Sequence, residues 1–304
     1  MALQMRAAQI KAFGGPDQLQ VHTVDRPTPG AGQVLVRVKF ASVNAMDWKL
    51  VAGMMKDWVK AFPWSPGGDF SGTVEAMGPG AEGRLPPGSA VFGRGSGCYA
   101  EYAVADLAGV TAKPAELSFE DAACLPIAGV TAWQAIHMDG AVKPGQRVLI
   151  QGGSGGVGHF AVQIARRAGA TVIATASADN ADWVATLGAD DVLDYRLPLV
   201  KQTRDIDLVI DGVGAESQSQ AYSVLNRGGL LISLIGPPPA APSGIRAIAT
   251  HASVTRESLL AVAAMVERGE IRVAIQRIFP LDQAGEAQAF SHGPGRRGKV
   301  LIRI

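Results

Sequence analysis

The stretch Arg147-Val148-Leu149-Ile150-Gln151-Gly152-Gly153-Ser154-Gly155-Gly156-Val157-Gly158 decides the reading of this chain. Five apolar or long residues run into a glycine string, and an apolar-periodic segment follows. Within the string, G-x-G-x-x-G falls on Gly153, Gly155 and Gly158, and G-x-x-G-x-x-G on Gly152, Gly155 and Gly158. Such a turn between a strand and a helix leaves backbone N–H groups free at the helix start, where they and the helix dipole can hold a pyrophosphate. The helix is predicted over residues 156–168, with Val157, Phe160, Ala161, Ile164 and Ala168 on one apolar stripe and Arg166 and Arg167 near its carboxyl end, where cations are favoured. A dinucleotide site is the expectation.

Working outward, strands are predicted at 171–175, 207–211 and 229–235, with helices over 179–187 and 215–225 between them. This alternation marks a parallel, doubly wound sheet from about 126 to 268. Upstream, residues 1–125 read as short strands cut by turns such as Pro27-Thr28-Pro29-Gly30 and Leu85-Pro86-Pro87-Gly88, the pattern of a compact β domain. Its clearest strand is 33–42, with Val34, Val36, Val38 and Phe40 on one side and Arg37 and Lys39 on a side expected to meet solvent. Downstream, 273–280 and 299–304 look like strands flanking a helix that begins near Asp282, so residues 269–304 are expected to rejoin the first domain. The fold class is α/β. The three consecutive prolines within 236–241 make a stiff loop beyond the end of a core strand.

Composition narrows the function classes. With 28 basic and 27 acidic side chains the net charge is +1, so no broad field steers the chain onto nucleic acid or an anionic membrane. Apolar runs such as 259–266 fall far short of the roughly 20 residues that span a bilayer. Gln4, Arg6 and Gln9 interrupt the start where a signal peptide needs an apolar segment, and a cytoplasmic location is expected. Cys98 and Cys124 form no close pair, and the five histidines are scattered without metal-ligand spacing. No metal is expected.

Which dinucleotide binds depends on the end of the second strand, Thr175-Ala176-Ser177, which carries no carboxylate to accept ribose hydroxyls. Ser177, Tyr195 and Arg196 could instead donate to a 2′-phosphate. NADPH is therefore expected over NADH, with Asp179 as the opposing sign or simply a helix cap.

Several motifs occur in order: Gly30-Ala31-Gly32-Gln33-Val34-Leu35-Val36, Val43-Asn44-Ala45-Met46-Asp47-Trp48-Lys49, Tyr99-Ala100-Glu101-Tyr102, the run from Leu125-Pro126 to Ala132-Trp133, the glycine string, Leu187-Gly188-Ala189-Asp190 and Gly298-Lys299-Val300. On these the chain resembles the medium-chain dehydrogenase/reductase superfamily, in its zinc-independent, zeta-crystallin-like quinone oxidoreductase branch. The resemblance implies a GroES-like catalytic domain, a Rossmann cofactor domain and a returning carboxyl-terminal segment. It places Thr131 at the nicotinamide, Ser154, Gly155, Gly156 and Val157 at the pyrophosphate, and Ser177 with Tyr195 at the adenosine phosphate. Val213, Gly214, Leu234 and Ile235 would border the cofactor. Zinc-using members carry a cysteine near Asn44 and Gly-His-Glu near Gly67-Gly68-Asp69, and this chain has neither. It also departs from many relatives in lacking a basic residue near Asp179 or Asn180 and tyrosines near Lys49 and Met55. Relatives often dimerise through the edge of the Rossmann sheet, here near 229–235 and 245–250, so a homodimer is expected.

The expected chemistry is hydride transfer from NADPH to a quinone or enone. Asn44 would supply an amide hydrogen bond and Lys49 or water a proton, with Asp47 as a further catalytic candidate; Asn44 and Asp47 could equally cap the helix that follows. Trp48, Trp58, Phe62 and Trp64 could line an apolar pocket or pack a core. Asp211, at a strand end, could face cofactor or form a turn. The alternatives are a catalytically idle NADPH-binding sensor or scaffold, and an enoyl or aldehyde reductase of the same superfamily.

Overall fold

A computed structural model describes residues 3–81, 83–214 and 216–304. Strands β1 (Gln4–Gln9) and β2 (Gln20–Asp25) form an antiparallel pair. The first large sheet is built on β3 (Gln33–Val43), followed by helix α1 (Ala45–Val51) and strands β4 (Asp69–Met77), β5 (Ala90–Arg94), β6 (Tyr102–Asp106) and β7 (Val110–Ala112). Along β3 the period-two reading holds, since Val34, Val36 and Val38 are buried while Arg37 and Lys39 are exposed. It fails at the end, where Ala41, Ser42 and Val43 are all buried. There the strand has become interior.

The structure next contains a feature that the sequence reading missed. Residues 119–139 form one helical run: α2 (Phe119–Cys124), a π segment (Leu125–Gly129), α3 (Val130–Trp133) and a second π segment (Gln134–Asp139). Ser118 starts it by accepting a hydrogen bond from Asp121 N at 2.9 Å. Pro126 has no N–H to donate, and the wider π turn accommodates it. The run is hard to read because Ala122, Ala123, Cys124, Leu125, Ala128, Val130, Ala132, Ala135 and Ile136 are buried on all sides, which erases the amphipathic period.

The second large sheet contains β8 (Arg147–Gln151), β9 (Thr171–Ala176), β10 (Asp191–Asp194), β11 (Ile206–Asp211), β12 (Leu225–Ser233) and β13 (Arg246–Ala249), with helices α4 (Gly158–Arg167), α5 (Ala178–Ala185) and α6 (Glu216–Tyr222) between them. Ala215, where the last of these was expected to begin, lies outside the described residues. The order is β10-β9-β8-β11-β12-β13 and all neighbours are parallel, the doubly wound Rossmann arrangement. Order reverses between β8 and β11, so the crevice beyond their carboxyl ends is the ligand position of such sheets. Short β10 was not foreseen as a strand, whereas β13 forms the sheet edge expected near 245–250.

After α7 (Arg256–Glu267) come β14 (Ile275–Pro280), α8 (Ala284–His292) and β15 (Lys299–Arg303). β15 lies between β14, parallel, and β3, antiparallel, with Val300 opposite Val43. The return segment thus inserts into the first sheet, GroES-like in its β-rich build. It also covers α4: Gln163 Oε1 accepts from Arg272 N at 2.8 Å, and Gln163 Nε2 donates to Arg272 O at 3.0 Å. This corrects the single apolar stripe expected for that helix, because residues 158–165 are buried all round, His159 and Gln163 included.

Candidate cofactor and active site

The glycine string sits where β8 hands over to α4, at the switch point. Gly152 has φ +78°, a left-handed conformation that favours glycine. A Cβ on Gly158 would stand 2.1 Å from Gly152 O, so its bareness is what lets turn and helix close together. Gly155 N donates to Gly152 O at 3.0 Å. The N–H groups of Ser154, Gly156 and Val157 meet no protein acceptor among the described residues. Uncommitted donors at the start of a ten-residue helix fit an anionic pyrophosphate.

His159 braces this turn from beneath. Its Nδ1 lies 3.1 Å from Gly155 O and its Nε2 3.5 Å from Ala274 N. Burial pushes the imidazole down to about 4, so it is neutral, with Nδ1 the donor to Gly155 O.

At the end of β9, where the adenosine phosphate is expected, Ser177 precedes α5 without making a side-chain cap bond. Tyr195 is exposed, and Arg196 is held by Asp194 through Nε–Oδ1 at 2.9 Å and Nη2–Oδ2 at 2.7 Å. Asp179 is exposed; Asn180 is buried and ties α5 to the return segment, as Nδ2 donates to Arg296 O at 3.1 Å and Oδ1 accepts from Arg297 Nε at 2.7 Å. Beyond β11 and β12, Val213 and Ile235 are exposed, Leu234 is half-buried, and a Cβ on Gly214 would touch Ile235 at 3.4 Å. Gly214 and Ile235 thus stand side by side beyond the ends of β11 and β12. The Asp211 carboxylate accepts from Val213 N, Gly214 N, Ser217 Oγ and Gln218 Nε2 at 2.5–3.2 Å, so the turn-forming alternative holds.

The densest chemistry lies at the first sheet, beside the glycine turn. Asn44 Oδ1 accepts from Lys299 Nζ at 2.6 Å, and Lys299 Nζ also donates to Val43 O at 2.9 Å. Asn44 Nδ2 donates to Asp69 Oδ2 at 2.9 Å and, weakly, to Ser42 O at 3.4 Å. Asp47 Oδ2 accepts from Asn44 N at 2.8 Å and from Tyr99 Oη at 3.0 Å. Asn44 holds the N-cap position of α1 and Asp47, three residues on, closes back on its N–H, while the Asn44 side chain reaches into a network. All of these groups are buried. A Cβ on Gly156 would lie 3.9 Å from Lys299 Nζ, which sets the ammonium between the network and the glycine turn. Thr131 is also buried, its Oγ1 donating to Ile127 O at 2.6 Å, while Ile127 N approaches Asp69 Oδ2 at 3.3 Å.

Burial dominates the electrostatics. It lifts Asp69 to about 7, against the pull of the Lys299 charge and the Asn44 hydrogen bond. Asp47 is raised to about 6 by burial, against the hydrogen bonds from Asn44 N and Tyr99. Two carboxyls that change charge near neutrality thus share one ammonium.

Lys49 stands apart from this network. It is half-buried, makes no hydrogen bond among the described residues, and has its Nζ 5.8 Å from the Trp48 ring. The lysine at Asn44 is Lys299, a residue the sequence reading quoted only as part of a motif; Asp69 was likewise passed over. The available signal was a lone lysine opening an apolar strand, but only the β15–β3 register sets it against Asn44. The aromatic stretch does not converge on one pocket either. Trp48 packs on His292 at 4.1 Å, Phe62 on Phe13 at 5.0 Å, Trp64 against the first sheet's core, and Trp58 is exposed. No group of three or more His, Cys, Asp or Glu side chains is arranged to hold a metal among the described residues.

Residues 30–115 match the family described as alcohol dehydrogenase GroES-like domain, and residues 187–302 the family described as zinc-binding dehydrogenase. A chloroplastic quinone oxidoreductase of Triphysaria versicolor is 31% identical over 98% of each chain. The quinone oxidoreductase of Coxiella burnetii superposes with a TM-score of 0.92 at 32% identity, covering 99% of this chain and 100% of that one. A mycobacterial protein complexed with NADPH superposes at 0.89 with 28% identity, again over 99% and 100%. With its two sheets, its glycine turn and this full-length likeness, the chain belongs to the medium-chain dehydrogenase/reductase superfamily, in its quinone oxidoreductase branch.

Proposed function

We propose that the chain is a zinc-independent reductase that uses NADPH, in preference to NADH, to reduce a quinone or an α,β-unsaturated carbonyl compound. The observation that carries this reading is the network of Asn44, Asp69 and Lys299 standing against the glycine turn. An amide at position 44 and a glycine at position 68 offer a divalent ion neither thiolate nor imidazole. The name of one matched family, zinc-binding dehydrogenase, leaves the reading unchanged, because the donor atoms here are those of an amide, a lysine and carboxylates.

A bound nicotinamide supplies the hydride. The residues of the chain do the rest. Ser154, Gly156 and Val157 hold the pyrophosphate by their N–H groups, and Thr131, fixed by its bond to Ile127 O, marks the nicotinamide end. Lys299 and Asp69 lock the Asn44 carboxamide from both sides. Its second amide hydrogen, only loosely held 3.4 Å from Ser42 O, is the one free to turn to an acceptor oxygen as charge develops there. Asp69, at about 7, keeps a proton in the network near neutrality, with water as the carrier to the acceptor. We place the domain boundaries at 1–125, 126–268 and 269–304, the cytoplasm as location, and the edge strand β13 as the surface by which two copies pair.

The test follows absorbance of NADPH, and separately of NADH, with purified protein, a chelator, and in turn an aromatic quinone and a simple enone. Rapid oxidation of NADPH despite the chelator is expected. Activity that needs added zinc and an alcohol overturns the reading; tight NADPH binding with no turnover makes the chain an idle scaffold.

A further inference from the structure

We infer that Arg297, which belongs to the return segment and not to the nucleotide-binding sheet, is the side chain that selects a 2′-phosphorylated dinucleotide; the inference rests on the NADPH reading above. The end of β9 raises the problem. Ala176 and Ser177 offer no carboxylate to a ribose, yet α5, which follows, contributes Asp179 and Asn180 and no cation. A phosphate placed there needs positive charge from elsewhere.

Two guanidinium groups are near enough to supply it. Arg196 is bound in a two-bond fork by Asp194, so its charge is already matched. Arg297 forms no ion pair among the described residues. Its Nε donates to Asn180 Oδ1 at 2.7 Å and its Nη2 to Asp179 O at 2.6 Å. Asn180, 3% exposed, completes the bracket by donating to Arg296 O. This leaves three of the five guanidinium N–H donors uncommitted, on an exposed side chain whose stem is fixed at the first turn of α5. The Trp183 ring, 6.0 Å from the guanidinium carbon, backs it. A planar fork held this way suits a phosphate dianion, and it offsets the repulsion that the Asp179 carboxylate would otherwise exert. Ser177, with its hydroxyl uncommitted, completes the donor set.

The position of Arg297 in the chain adds a physical consequence. The next residue, Gly298, donates its N–H to Ser154 O at 2.9 Å, and the one after is Lys299, which holds Asn44. Three consecutive residues thus touch the adenosine end, the pyrophosphate turn and the catalytic network. A phosphate bound by Arg297 pulls on the segment that positions Lys299.

The experiment is calorimetric titration of the whole protein with 2′,5′-ADP and with 5′-AMP, comparing wild type, Arg297→Met, Arg297→Lys and Arg196→Met. Wild type is expected to prefer 2′,5′-ADP. Arg297→Met is expected to cut that preference by about tenfold or more, by weakening 2′,5′-ADP alone, since a charge-assisted fork to phosphate is lost. Arg297→Lys keeps the charge without the fork and is expected to retain part of the preference; it also serves if the methionine variant does not fold. Arg196→Met is expected to change it little. Equal weakening of both ligands by Arg297→Met makes the residue a structural tie and overturns the inference, as does a preference that survives Arg297→Met but falls with Arg196→Met. A wild type with no preference sinks the NADPH reading and this inference together, whereas a preference insensitive to Arg297 sinks only the latter.

Discussion

Asn44 is oriented from both ends, by the Lys299 donor on its oxygen and the Asp69 acceptor on its nitrogen. A carboxamide gripped at both ends keeps its free hydrogen aimed without paying for reorientation during reaction. Asn44→Ala is therefore expected to lower kcat with a quinone by about a hundredfold, the typical cost of one such donor, with NADPH affinity nearly kept; stopped-flow turnover and NADPH titration of the same variant check this. The buried carboxyls set a pH dependence of unusual sign. Asp47 and Asp69 rise from 3.8 to about 6 and about 7 on folding. Between these limits the folded chain binds more protons than the unfolded one, and stability falls as pH rises. His159 works the other way: lowered from 6.5 to about 4, it leaves the unfolded chain with more protons, and stability rises with pH across that window. Asp69→Asn removes one falling contribution, so urea midpoints of the variant should gain on wild type as pH climbs from about 4 to about 7. Lys299→Met is expected to cost about 3–5 kcal/mol at neutral pH, because it strips the cation from buried carboxylates, and less in acid, where they are neutral. A loss that is the same at both pH values would mean that packing, not charge, is what Lys299 contributes.

The glycine turn shows how one element separates folding from binding. At Gly158 an added methyl would collide with Gly152 O at 2.1 Å, while at Gly155 the nearest atom, the same carbonyl, is 3.3 Å away. Gly158→Ala should therefore cost about 1–3 kcal/mol of stability as helix and turn are forced apart. Gly155→Ala should fold nearly as wild type yet lose NADPH affinity, its methyl entering the pyrophosphate's space. Thermal melts set beside NADPH titrations check the contrast, and equal effects on both quantities would mean that the turn is only structural. The strand, the glycine string and the presence of a helix were legible in the sequence because each signals locally, but the burial of α4 on every side was not, since the distant return segment supplies its cover. The run 119–139 was not, since burial on every side leaves no period to read, and neither was β10, whose four residues are too few to show one. Of the site, Asn44 and the glycine turn stood out in the sequence. Lys299 did not, because its role exists only through the pairing of β15 with β3, which joins residues at opposite ends of the chain.

At the scale of the molecule, the two sheets are stitched together at three places, all close to the proposed cofactor site. The 119–139 helix carries Ile127 and Thr131 from one block toward the other. Residues 296–299 run from α5 past Ser154 to Asn44, and His159 joins the glycine turn to Ala274. A dinucleotide held across these stitches binds the folded arrangement and neither half alone, so its binding energy should stabilise both sheets. With NADPH at about a hundred times its Kd, linkage gives about 2.7 kcal/mol of added stability. Hydrogen exchange should then show added protection at β3 and β15 as well as at β8 and β9, in one cooperative transition. Protection confined to β8 and β9 would show that the stitches carry contact but little coupling. In that case Lys299 would have to hold Asn44 equally well with and without cofactor, and the orientation of the carboxamide would be a fixed property of the fold that NADPH merely finds in place.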